Sequence, residues 1–142
     1  MLHVLLLIGL YVAGVFAVVL GAVHFFFPLL WDFTHAIPRE GEPLRPMRLG
    51  PLRYAVRRSD VYGITWVMNH AASFTILSIG VVDLLAASWL GTPLAPVVAW
   101  WIAAFWGIRG VSQLYLGRRR GDWAILAGFA VLAALHGVAA WG

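Results

Sequence analysis

The 142-residue chain has no cysteine. That excludes disulfides, thiolate metal centres and cysteine nucleophiles, and it removes the usual marker of redox compartment. Lysine is absent too, so all ten basic residues are arginine. The planar guanidinium suits phosphate and lipid head groups, although GC-rich codon usage accounts for the same bias. Charge of either sign is scarce, at 11% of residues, where a soluble domain carries roughly 25%. The net charge of +4 fits loops that face an anionic membrane surface. It does not mark a nucleic-acid binder, because the arginines flank apolar runs and do not interleave with aromatics on a polar face.

What the chain does contain is apolar. Hydrophobic residues make up 62%, with eight Trp, eight Phe and four Tyr available for membrane interfaces. Val4 to Val23 holds no formally charged side chain, and a helix of about twenty residues matches the hydrocarbon layer of a bilayer. The pattern recurs three more times, giving spans at about 2–27, 60–87, 97–116 and 123–141. The first lacks a basic leader and is too long for a signal-peptide core, so a retained helix is expected. Pro28 ends it, Ser59-Asp60 offers an N-cap for the second, and Gly91-Thr92-Pro93 separates the second from the third. The expected fold is all-α: a four-helix integral membrane bundle forming a single domain over 1–142.

Orientation follows from the arginines. The connection between spans one and two carries Arg39, Arg45, Arg48, Arg53, Arg57 and Arg58, and that between spans three and four carries Arg118, Arg119 and Arg120. The second connection, Ser88 to Pro96, carries none. In a four-span chain the first and third connections share a side, and the positive-inside rule assigns it to the cytoplasm. Both termini then lie outside, with a long Pro- and Arg-rich cytoplasmic connection after helix one. Arg57, Arg58, Arg118, Arg119 and Arg120 become candidates for lipid head-group contact. Within that connection, Pro38, Pro43, Pro46 and Pro51 exclude a long regular helix. Residues 47–54 fit a short hairpin around Gly50-Pro51, and they fit equally an interfacial helix opened by Pro51.

Lipid tails are as apolar as Leu, so helices associate through small residues and polar contacts. Ala13, Ala17 and Gly21, then Ala99, Ala103 and Gly107, then Ala133 and Gly137 form small-residue ridges. Polar residues inside spans are costly and mark candidate sites. Asn69, Ser73, Gly80 and Asp83 lie on one stripe of span two, with His70 beside it. Depth counted at 1.5 Å per residue puts His70 about 15 Å above Asp60 and Arg109 about 10 Å above the end of span three. On this count His24, Asn69, His70, Ser73, Arg109 and Gln113 are candidate ligand-binding residues. His136 falls about 21 Å above Asp122, and Asp83 further out, near the external surface. Arg109 and Asp83 are then too far apart to pair. The plainest role for His70 is an interhelical hydrogen bond from a buried ring, and packing also accounts for His24 and His136. A bis-His haem would need two imidazoles at one depth, which the counts disfavour. No His/carboxylate spacing within a span suggests a metal, and His35 has only Asp32 near it.

Gly21-Ala-Val-His-Phe-Phe-Phe-Pro28, followed by Ile37-Pro38, resembles the end of the first helix of DoxX-like membrane proteins. The resemblance covers residues 21–38. It implies four helices, an association with membrane oxidoreductases and quinone-linked electron transfer, and a role for His24 and Pro28. Three functions are compatible with the chain. The first is a non-enzymatic accessory or structural subunit of a membrane complex, binding no cofactor and held by a larger partner or by copies of itself. The second is a redox-linked protein that binds quinone or haem around His70 and Arg109. The third is a small transporter, for which no inverted repeat is visible.

Overall fold

The structure, a computed structural model, describes residues 1–116 and 119–141. These are mostly helical: α1 (Leu2–Phe25), α2 (Phe27–Leu30), α3 (Phe33–Ala36), β1 (Met47–Leu49), β2 (Leu52–Tyr54), α4 (Arg58–Leu84), α5 (Ala86–Trp89), α6 (Ala95–Leu116) and α7 (Arg120–Ala139). Among the described residues three helices, α1, α4 and α7, are long and apolar enough to cross a membrane. The 22-residue α6 is long enough but falls outside that set, because Trp100, Trp101, Trp106, Arg109 and Gln113 lower its hydropathy. The chain divides into two compact units, Met1–Ala17 with Ile79–Gly142, and Val18–Ser78.

In the first unit the core joins Leu6 and Leu10 of α1, Ala86 and Trp89 of α5, Ala99 of α6 and Ala139 of α7. Helix α4 stops at Leu84, short of the expected end. The Trp89 indole N–H donates to Val82 O at 2.8 Å, a carbonyl in the last turn of α4 that also accepts from the Leu85 N–H at 3.1 Å. Gly91 supplies a positive φ of 80° at the reversal into α6, a conformation side-chain-bearing residues resist. Trp106 of α6 is fully buried and stacks on Phe129 of α7, with ring centroids 5.4 Å apart. The start of α7 is held by Asp122, which accepts from the Arg119 backbone N–H at 2.8 Å and from Gln113 Nε2 at 3.4 Å.

The second unit is built around the N-terminal part of α4. Proline enters at Pro28 in the first turn of α2, where its missing N–H costs nothing. Residues 47–54 form the hairpin and not the interfacial helix: Met47 pairs with Tyr54, Arg48 with Arg53 and Leu49 with Leu52. Gly50, at φ 58°, makes the tight loop possible. Helix α4 begins at Arg58, and the Asp60 carboxylate reaches back to accept from the Arg57 N–H at 2.8 Å. The long connection is fastened to α4 by Arg39, stacked 4.0 Å over the Tyr62 ring, and by Arg58 Nε, which donates to Glu42 O at 3.0 Å.

Candidate functional site

In the second unit, four of the expected residues lie together. Ser73, fully buried, donates its hydroxyl proton to Asn69 O at 2.7 Å. A hydroxyl has a single proton, so toward His24 Nδ1, 3.0 Å away, its oxygen must accept. His24 is therefore protonated at Nδ1. Asn69 Nδ2 donates to His24 O at 3.0 Å, covering a carbonyl at the end of α1. Asn69, Ser73 and His24 thus form a polar clamp between α1 and α4. His70 differs from its expected role. Its ring stacks on Phe25, centroids 4.7 Å apart, and meets Trp66 edge-on at 5.7 Å. The interhelical hydrogen bond expected of it is made by His24 instead.

Arg109 and Gln113 belong to the first unit. Gln113 is engaged with Asp122. The Arg109 guanidinium lies 5.5 Å over the Phe129 ring, and its buried Nε makes no hydrogen bond among the described residues. Of the head-group candidates, Arg57, Arg119 and Arg120 are exposed and Arg58 is half-buried. Arg119 Nε also approaches Asp122 at 3.4 Å. Arg118 lies outside the described residues.

The most deeply buried ionisable pair was not anticipated. His136 Nε2 lies 2.9 Å from Asp83 Oδ1, and both side chains are 0% exposed. This corrects the depth count, which placed Asp83 further out than His136. Helical rise measures contour length along each axis; it ignores tilt and gives each helix its own zero. His136 Nδ1 sits 2.7 Å from Leu132 O, an oxygen that can only accept. Asp83 Oδ2 is buried with no hydrogen-bond partner among the described residues. Gly14 of α1 lets the backbone of α4 approach closely here: a Cβ at that position would sit 3.0 Å from Asp83 Cβ and 2.9 Å from Gly80 O. The sequence did hold a signal for this pair. Asp83 is the one acid inside an apolar run, and such an acid requires a partner.

The small-residue ridges differ in closure. Ala13, Ala17 and Gly21 of α1 are all buried. On α6, Ala99 and Ala103 are buried, but Gly107 opens onto a groove of about 320 Å³ between α6 and α7. Trp106, Gly107, Gly110, Leu126, Ala130 and Ala133 line it. Set against known proteins, the chain matches no family model, no curated protein and no solved structure. The likeness of residues 21–38 to DoxX-like proteins rests on those residues alone.

Proposed function

We propose that this is a small integral protein of a bacterial-type inner or plasma membrane, crossing it four times as a helical bundle with both termini outside. It serves as a non-enzymatic accessory subunit, and the α6–α7 groove receives a transmembrane helix of a larger partner. The open groove is the observation that carries this reading. In lipid, helices associate by close packing against small residues, and the Gly107 side of α6 offers such a surface uncovered, whereas the α1 ridge is closed. The polar side chains support it as well. His24, Asn69, Ser73, Gln113, Asp122, Asp83 and His136 are bonded to one another or to backbone.

The absence of cysteine makes the test clean. Val111→Cys on α6 and Val12→Cys on α1 place single thiols on equally exposed positions, 64% and 65%. Cross-linking in native membranes should join Val111→Cys to a larger membrane protein and leave Val12→Cys unjoined. Adding Gly107→Leu should abolish that cross-link. Equal cross-linking from both sites, or a product of two copies of this chain, would overturn the assignment.

A second reading has one observation in its favour. No hydrogen bond to His70 is found among the described residues, and the ring is held only by Phe25 and Trp66. A quinone or haem held beside it would accompany a redox-linked function. An absorption spectrum and an organic extract of gently purified protein decide: a Soret band or a stoichiometric quinone promotes this reading, and neither signal removes it.

A further inference from the structure

The Asp83–His136 pair has a proton inventory that its geometry restricts. His136 Nδ1 faces a backbone carbonyl at 2.7 Å, so that nitrogen carries a hydrogen. Nε2 faces Asp83 Oδ1 at 2.9 Å. If neither atom carried a hydrogen, two lone pairs would oppose each other at hydrogen-bond distance with no water to intervene. One proton must therefore lie between them, on nitrogen or on oxygen. In either form the pair is neutral overall, the tolerable state for two ionisable groups removed from water.

The surroundings offer no substitute for that proton. From α1 the close neighbour is Gly14; His3 lies against Gly91 and Tyr11 is partly exposed. From residue 84 to residue 108 no side chain is titratable. On α6, Arg109 is turned to Phe129 and Tyr115 is exposed. On α7, Asp122 is engaged by Arg119 and Gln113. Among the described residues, the ion pair made by Asp83 is the one with His136.

We propose that Asp83 and His136 form a proton-binding site that latches α4 to α7. When the proton is held, Nε2 and Oδ1 share it and the helices stay joined. When it leaves to a solvent base, a neutral imidazole and a carboxylate remain, and their facing lone pairs drive the two side chains apart. Binding and release are thereby coupled to the α4–α7 contact, which an ordinary structural hydrogen bond does not do. Asp83→Asn separates the two cases, because the amide donates to a neutral Nε2 and keeps the contact without a carboxylate to share a titrating proton.

The experiment uses the full chain in lipid nanodiscs, with spin labels on Leu84→Cys and Val138→Cys, both partly exposed. As pH is raised, the inter-label distance should lengthen in one step in the otherwise native chain. That step should be absent with Asp83→Asn, and a proton titration of the two proteins should differ by one proton per chain. Identical curves for the two would overturn the proposal, as would proton release only on unfolding. Release of the proton by added sodium at fixed pH would also overturn it, making the site one for a metal cation. Should the Asn variant fail to fold, nitrogen-15 histidine spectra of the native chain suffice. They should show His136 protonated at Nδ1 throughout, with Nε2 responding to pH. An Nδ1-bare ring, or an Nε2 signal indifferent to pH, would end the proposal.

Discussion

Ser73 connects two groups with one oxygen, giving its proton to Asn69 O and accepting from His24 Nδ1. Ser73→Ala leaves a ring N–H without its acceptor. Polar contacts between membrane helices average about 0.6 kcal/mol and reach about 1.7; a half-buried donor that loses this acceptor adds to that. The variant should therefore lose about 1–2 kcal/mol, read as a lower melting temperature in detergent, while Ser73→Thr retains most of it. Single residues were only partly legible in the sequence. The polar stripe of span two was visible because helical periodicity projects Asn69, Ser73 and Asp83 onto one face. Which groups those residues meet was not, since partner choice depends on helix tilt and rotation. Asp83 therefore found His136, and His24 took the role expected of His70.

At the scale of helices, two glycines should respond in opposite ways. A Cβ on Gly21 would meet Leu77 N at 2.9 Å and Leu77 Cγ at 2.8 Å. Gly21→Ala must push α1 from α4, at a cost of about 1–3 kcal/mol. A Cβ on Gly107 meets nothing within 4 Å. Gly107→Ala should leave stability unchanged or raise it by up to about 1 kcal/mol, the helix-propensity gain. Thermal melts of both variants in one detergent check the contrast, and similar losses in the two would show that the groove is closed. The helices themselves were readable from the apolar runs. Their ends were less so: α4 stops at Leu84, where its last turn meets the indole of Trp89, five residues past its end, a contact no local pattern encodes. Residues 47–54 were ambiguous because Pro51 satisfies the first turn of a helix as readily as a hairpin loop.

For the whole chain, the distribution of arginine makes the vertical order testable. A membrane-impermeant maleimide should label Thr92→Cys in intact cells and label Arg45→Cys only after permeabilisation. The reverse pattern would invert the proposed orientation, and labelling of both would break the four-span reading. The hairpin of the arginine-rich connection has a consequence of its own. Its ladder sets Arg48 directly across from Arg53, both exposed, and like charges so placed oppose strand pairing. Left in neutral surroundings, the ribbon works against itself. Counter-charge from anionic lipid relieves that opposition, so amide exchange over Met47–Tyr54 should slow as acidic phospholipid replaces zwitterionic. In this way the ribbon's order becomes a gauge of the bilayer's surface charge.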